Sequence, residues 1–579
     1  MRPIVLFFCL LLPVIKADAQ QSYDASLISK ELLPYASAVV RNEEVNVEVK
    51  DLDNTIYHIQ KAITVLNKNG EDIAHITVWH NKSNVIRYIK GAVYNSFGKQ
   101  TGKFSEKDFE DVNAANNFSL FEDSRIKHYI PVVTDYPYTI VYEYEVRSKQ
   151  SLNFRDWEPN PFKGLSVEKS KYTFACKPDF DIRYKEINIP SKVTTATNAA
   201  GFKTYTWQVN NMKAVKDEPY SPNREDILTS VKIAPVKFSY EGITGSFNNW
   251  NELGKWVYDK LLKNRSDIPA ETRQHIQDIT ANISDLKLKA KKIYEYMQQK
   301  TRYISVQIGI GGYQPLLASD VDHLNYGDCK ALVNYTQALL KTVNIDSYYC
   351  VVESGNRKVS MINDFPSMEQ GDHVILCIPF KNDTTWLECT NQKIPFGFLG
   401  DFTDDRTVLA CTPEGGKLIH TPKYTANVNL EARKANFVIS DSGELSGDMT
   451  TIFKGTQYDA RESLIEEGPV ERKKHIQEIY PINNMVIEKL ELKQDKGMKP
   501  VTIENIKFKA RDFASLSDGK FYFSLNPTNC ITKSPREVRN RVNAVDINRG
   551  YTDEDEINYT LPQGYRLEKE PVDINIDKP

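Results

Sequence analysis

No stretch of this 579-residue chain reaches the roughly eighteen consecutive apolar residues that a membrane-spanning helix requires. No two cysteines stand in the CxxC spacing of a thiolate zinc site, and neither a Walker loop nor a dinucleotide fingerprint is present. Long blocks of like charge are missing too. The 74 Lys and Arg against 77 Asp and Glu give a net charge of -3, which argues against a nucleic-acid binder. There is no internal repeat and no low-complexity tract. These absences point away from any resident metal or cofactor.

What is present begins with an address. Arg2 opens a short basic start, Ile4 to Ile15 is an apolar run of signal-peptide length, and Ala17-Asp18-Ala19 fits the small-x-small cleavage pattern. The mature chain is expected to begin near Gln20, exported and soluble. Loss of Arg2, Lys16 and Asp18 takes the net charge from -3 to -4. Cys9 lies inside the apolar run rather than after a small-residue lipidation site, so no lipid anchor is expected. At about 150 residues per domain the remainder makes three or four domains. Seven cysteines survive export, at 176, 329, 350, 377, 389, 411 and 530. An odd number in an oxidising compartment leaves at least one thiol unpaired, and Cys329 is the natural candidate. The other six read as buried small hydrophobes, or as disulfide partners among 350, 377, 389 and 411.

Strand rhythm opens the mature chain after a short helix around Ser26 to Tyr35. Ile63 to Leu66 runs into Asn67-Lys68-Asn69-Gly70, a hairpin signal, and Ile76 to Trp79 follows. Tyr138, Ile140, Tyr142, Tyr144 and Val146 alternate with more polar residues, the period of a half-buried strand. Residues 20–235 are therefore expected to form a β-sandwich. A helical linker, 236–284, follows. Trp250, Leu253, Val257 and Leu261 fall at helical spacing behind Asn248, and a second helix starts at Pro269. Residues 285–424 form an α+β core, opened by a helix behind Ser284 and shaped by a loop with Gly309, Gly311, Gly312 and Pro315. Residues 425–579 return to strands, with Glu462 to Tyr480 as a helical insertion. The chain stops soon after the strand-like Val572 to Ile576, so a truncated second sandwich is expected there.

The chemistry concentrates in the core. Tyr326-Gly327-Asp328-Cys329-Lys330 opens a helix whose Leu332, Tyr335, Leu339 and Val343 make one apolar stripe. His373 stands in a strand, and Glu388 stands in the next, across a link with hairpin-forming Asn382-Asp383. A helix start stabilises a thiolate, an imidazole accepts its proton, and a carboxylate fixes the imidazole tautomer. Asp328 partly opposes the helix start by its own charge, which leaves most of the thiol activation to His373. The Cys329 backbone N–H is one donor for a developing oxyanion, with Gln314 and Tyr313 as candidates for the second. His323 is a competing base. The acidic groups Asp320, Asp322 and His323, or Asp401, Asp404 and Asp405, are distant metal-site alternatives without compact ligand spacing.

Arg302-Tyr303, Gly309, Tyr313-Gln314-Pro315, Ala318, Val321 and Tyr326 to Lys330 resemble the core of bacterial envelope proteins with a transglutaminase-like, papain-type domain. Asp372-His373-Val374 and Trp386 to Thr390 match that family's histidine and acid motifs, and Phe396 to Gly400 with Arg406 its closing segment. The resemblance implies an uncharacterised β-rich domain before the core and another β domain after it. It also implies a periplasmic or envelope location. One departure matters: the acid motif more often reads Trp-Leu-Asp-Pro-Thr, and Glu388-Cys389 stands here instead. The expected activity is cysteine acyl transfer on a protein or peptide substrate, with hydrolysis favoured over crosslinking and no cofactor. A non-catalytic envelope binding or scaffolding protein is the competing class.

Overall fold

The computed structural model describes residues 22–114, 119–133, 135–381, 383–531 and 533–578. The expected signal segment 1–19 and Asn382 of the hairpin link lie outside the described residues. The chain is a β-rich multidomain protein with several sheets and a smaller set of helices. Among the described residues no helix is long and apolar enough to cross a membrane.

The first region is built on an eight-stranded sheet. Its order is Thr194–Thr197, Lys203–Met212, Leu165–Cys176, Ala38–Asp51, Asn54–Val65, Tyr138–Ser148, Asn84–Tyr94 and Gln100–Ser105. Two small sheets pack on its two ends. Ile76 and Val78 join the cluster around Ile63, Ile140 and Leu165, while Val231 and Ile233 join Phe174 and Trp207. The alternation read from Tyr138 to Val146 is modified by a buried polar pair, because Thr139 Oγ1 meets Thr64 Oγ1 at 2.8 Å. Asn67 to Gly70 does not close a hairpin. Asn67 caps the 3₁₀ turn Lys68–Ala74, and the Ile76–His80 strand then pairs with Arg125–Tyr129 in a different sheet. The hairpin expected there does not form, because strand partners are chosen by which face each strand buries.

The central region carries a five-stranded antiparallel sheet ordered Asp383–Leu387, His373–Phe380, Tyr348–Val352, Thr407–Thr412 and Gly415–His420. Period-two alternation divides its residues between two cores. Val374, Leu376, Ile378 and Leu409 face the helix Cys329–Lys341, whereas Cys350, Ile375, Cys377 and Trp386 pack on the other side with Leu399. The helix was expected to bury one stripe. It is buried almost all round, from Cys329 through Leu340 except Gln337, because the helices Leu286–Lys300 and Ala318–Leu324 cover the face turned away from the sheet. Each fully buried Leu or Val there contributes about 1.5–3 kcal/mol relative to exposure. The helix Trp250–Val257 takes its cap from Asn249 rather than Asn248, and Leu286–Lys300 from Asp285 rather than Ser284. Trp250–Val257 reaches the edge strand so closely that a Cβ on Gly254 would stand 2.3 Å from the Gly416 Cα.

The last region is a five-stranded sheet ordered Met485–Asp495, Val501–Ala510, Leu445–Phe453, Leu430–Ile439 and Thr552–Thr560. Ile476 of the helix Pro469–Ile479 is fully buried against it, in one cluster with Phe437, Met449 and Phe508. Before its final strand the chain returns to the other two regions. The backbone N–H groups of Val542 and Asn543 donate to the buried Glu218 carboxylate at 2.9 and 2.8 Å. Arg549 then pairs with Asp404, and Asn548 donates to the Asn356 carbonyl at 2.7 Å.

Arg406 holds the loops beside the His373 strand together. Fully buried, it donates to the carbonyls of Asp404 (2.9 Å), Glu353 (2.6 Å) and Gly355 (2.9 Å). Its removal takes the donor from three carbonyls, that of buried Asp404 and those of half-buried Glu353 and Gly355, and leaves the Asp404 carboxylate to Arg549 alone. Arg406→Met is expected to lower stability by about 3–5 kcal/mol, read from urea unfolding. A loss under about 1 kcal/mol would show that those loops hold themselves.

Candidate active site

Tyr326-Gly327 pairs in parallel with Arg302-Tyr303 and delivers the chain to the site. A Cβ on Gly327 would lie 2.8 Å from the Ala331 Cβ, so this approach needs glycine. Asp328 caps the helix, accepting the Ala331 N–H at 3.0 Å. Cys329 is thus the first helical residue, 5% exposed, with its own N–H at the positive end of the helix. The Asp328 charge does not stand alone. Lys330 Nζ lies 2.5 Å from its Oδ2, and both groups are buried. Burial disfavours the Lys330 ammonium, but Cys329 and then Asp328 outweigh that and raise its pKa. The sequence signal for this compensation was the Asp-Cys-Lys triplet itself.

The structure brings His373 and Glu388 together at the ends of their strands. His373 Nε2 meets Glu388 Oε2 at 2.9 Å, and the imidazole is near enough to the Cys329 side chain for the sulfur to favour its charged form. With Nε2 held by the acid, Nδ1 is the nitrogen left for sulfur. Glu388 is itself fixed. Its Oε1 accepts from the Thr390 N–H (2.9 Å) and hydroxyl (2.6 Å), and its carbonyl accepts from Tyr294 Oη at 2.6 Å. Burial works against the charged imidazole, yet Glu388 and Cys329 together hold its pKa well above the ordinary value. Burial likewise pushes the Glu388 carboxyl up, and His373 with Thr390 reverses that to a net lowering. Both shifts favour the charged pair.

A cavity of about 460 Å³ opens over these groups, with Cys329, Lys330 and His373 among its lining residues. Tyr313 lines it, and its hydroxyl accepts from Asn153 Nδ2 at 2.6 Å. Gln314 does not line it; its backbone N–H closes a turn on Ile310 O at 2.8 Å. Gln307 lines the cavity instead, along with Asn153, Tyr240 and Met368, none of which sequence reasoning singled out. Asn153 and Tyr240 come from far upstream, and only tertiary packing could reveal them. A more open cavity of about 390 Å³ at Thr456, Gln457, Arg549 and Asp553 is lined by neither cysteine nor histidine.

The remaining candidates are engaged elsewhere. Asp322 is buried against Tyr335 Oη (2.6 Å), Thr272 and Lys300 (2.9 Å), while His323 is exposed and outside the cavity. Asp404 pairs with Arg549, and Asp405 with Lys358 at 2.9 Å. All seven described cysteines are free thiols, so the alternative of disulfides among 350, 377, 389 and 411 is not realised. Cys530 is exposed, contrary to the reading of six buried hydrophobes, and the other five are buried. Burial pushes the Cys176 thiol up to about 11, and raises those of Cys350, Cys389 and Cys411 further.

No curated protein matches the chain. Residues 53–216 match a family described as a Domain of Unknown Function with solved-structure structure (DUF3857), and residues 519–579 match a second so described (DUF3858). A solved structure from Parabacteroides distasonis ATCC 8503, named a "putative protease", is 12% identical to this chain. The match covers 82% of this chain and 94% of that one at a TM-score of 0.55. At that identity the likeness speaks for the multidomain β-rich fold alone. The M1 zinc metallopeptidase of Deinococcus radiodurans is 9% identical, with 42% of this chain and 53% of that one covered at a TM-score of 0.20. A "putative nutrient binding protein" from Legionella pneumophila is 11% identical, with 47% and 83% covered at 0.17. These last two carry no argument.

The charged pair has a pH signature. The raised His373 pKa contributes stability that is fully present below the unfolded value near 6.5 and is lost as pH rises through the folded value. The lowered Glu388 pKa contributes stability present above its unfolded value near 4.3 and lost as pH falls through the folded one. His373→Gln is therefore expected to be most destabilised relative to wild type near pH 6, with the gap narrowing toward both extremes. Urea midpoints at acidic, near-neutral and alkaline pH check this; a pH-independent gap would mean the pair is not ionic.

Proposed function

We propose that the protein is an exported cysteine acyl-transfer enzyme of the bacterial envelope, peptidase-like in its chemistry, with a transglutaminase-like α+β core at about residues 285–424. In this reading residues 20–235 form a β-sandwich, 236–284 a helical linker and 425–579 a β-rich domain. The observation that carries the reading is His373, bonded to Glu388 at 2.9 Å and lining, with Cys329, one open cavity. The fold-level likeness to a protein named a "putative protease" agrees with it.

The Cys329 sulfur, having given its proton to His373, attacks a peptide or carboxamide carbonyl and forms the S–C bond of a tetrahedral intermediate. The oxyanion is met by the Cys329 backbone N–H at the helix start, with Tyr313 or Gln307 as the second donor, ahead of Gln314. Collapse breaks the C–N bond, and His373 returns its proton to the leaving amine. Water then attacks the thioester while His373 takes its proton, releasing the acid and the thiol. Glu388 orients the ring and stabilises its charge throughout. Glutamate in place of aspartate keeps this role, because its carboxylate reaches Nε2.

Cys329 is expected to be the fastest-alkylated thiol of the protein with iodoacetamide at pH 6. His373→Ala should slow it on the order of a hundredfold, toward the thiolate fraction of an ordinary thiol with pKa about 8.5, and Glu388→Ala should slow it less. Peptide mapping reads the label. Faster labelling of Cys176 or of the exposed Cys530, or an unchanged rate in His373→Ala, would defeat the assignment.

A further inference from the structure

The cavity over Cys329 is floored by the hydrophobic core itself. Val257, Leu261, Tyr349, Met368 and Val374 line it, and all five belong to the buried cluster around the Cys329 helix. Their outer edges offer apolar surface inside a cleft of about 460 Å³, within the range of about 300–1,000 Å³ that encloses small organic groups. Two charged groups of the lining are buried and paired, Lys330 with Asp328 and His373 with Glu388. A third, Asp372, is exposed, and its carboxylate is held by the Ser354 N–H at 2.7 Å and hydroxyl at 3.1 Å. Among the described residues, the buried part of the lining thus offers no unpaired charge, and a charged side chain entering it gives up water without compensation.

One wall is aromatic. Tyr240 and Tyr313 stand with their rings 5.1 Å apart at 58°. Each is anchored through its hydroxyl: Tyr240 Oη donates to the Gly309 carbonyl at 3.2 Å, and Tyr313 Oη accepts from Asn153 at 2.6 Å. Beside them lies Gly312, the last residue of the 3₁₀ turn Gly309–Gly312. A Cβ on Gly312 would stand 3.0 Å from Tyr240 Oη and 3.9 Å from Gln307 Oε1, and both of those side chains line the cavity. The φ of Gly312 is outside the left-handed region, so its backbone does not demand glycine; what the glycine supplies is room. Two fixed rings and the adaptable Met368 thioether around that room suit an aromatic guest, which gains both buried area and ring contacts.

We propose that this site takes acyl substrates bearing a large apolar side chain, aromatic by preference, beside the scissile carbonyl, seated against Tyr240 and Tyr313 in the room that Gly312 leaves. The proposal rests on Cys329 being the nucleophile, and its test separates the two. The full chain is treated with peptidyl chloromethyl ketones that differ only in the residue bearing the ketone: phenylalanine, alanine, lysine or glutamate. Cys329 Sγ displaces chloride, and each labelling rate is divided by the iodoacetamide rate of the same protein. Phenylalanine is expected to exceed alanine on the order of tenfold, with lysine below phenylalanine and glutamate, repelled by Asp372, slowest. Gly312→Leu should shrink the phenylalanine advantage to about twofold. Gly312→Ala, one methyl group larger than the glycine, should shrink it in part and carries the same comparison should the leucine variant not fold. Equal phenylalanine and alanine rates, lysine faster than phenylalanine, or a phenylalanine advantage untouched in both Gly312 variants overturns the apolar slot alone. Failure of iodoacetamide to label Cys329 overturns the nucleophile, and the slot with it.

Discussion

An imidazolium and a carboxylate out of water are tolerable only as partners, and the central region is arranged around that requirement. Separately, His373 and Glu388 would each face a desolvation penalty of several kcal/mol. At 2.9 Å, with Thr390 and Tyr294 holding the acid, the penalty is offset, and the two strand ends are bound to a fixed register. The same constraint positions the helix Cys329–Lys341. Its first residue must reach the imidazole nitrogen that Glu388 leaves open, and the buried Asp328–Lys330 pair keeps the local charge balanced while it does so. Packing on both faces of the helix makes this placement rigid. A cysteine at a frayed helix end could not hold such a contact.

The site was legible in the sequence to the extent that its chemistry lies in rare residue types at element boundaries. Cys329 follows a Gly-Asp turn into an uncharged run, and His373 and Glu388 flank a hairpin, so local patterns sufficed to bring them into one reading. The strand faces were less legible. Alternation puts His373 with Ile375 and Cys377, whose side of the sheet is remote from the helix, yet from the first position of its strand, paired with Val352, the imidazole reaches the Cys329 thiol. The cavity walls were legible only at Tyr313. Asn153, Tyr240 and Met368 belong to three separate stretches and carry no motif; only tertiary packing makes them neighbours.

The same limit applies to strand partners and element caps. Asn67-Lys68-Asn69-Gly70 marks a reversal, but the choice between a hairpin and a crossing into another sheet depends on Ile76 and Val78 finding apolar partners above the large sheet. The caps at Asn249 and Asp285 fell one residue from the expected ones, since adjacent Asn and Ser residues compete for the same role with similar propensity. Burial all round the Cys329 helix was foreshadowed by the absence of charge from Ala331 to Leu340, a stronger signal than its apolar stripe.

The returning segment that ties Glu218 to Val542 and Asn543, and Asp404 to Arg549, has a mechanical meaning for the cleft. The walls of the cleft come from different parts of the chain, Asn153 and Tyr240 on one side and Met368 and Asp372 on the other. A brace spanning first and central regions sets the gap between those walls and resists their parting. The slot therefore behaves as a gauge of fixed width rather than a jaw. With Cys329 as the proposed nucleophile, such a gauge would admit extended segments and small amides and turn away folded surfaces, a selection by shape that comes before any bond.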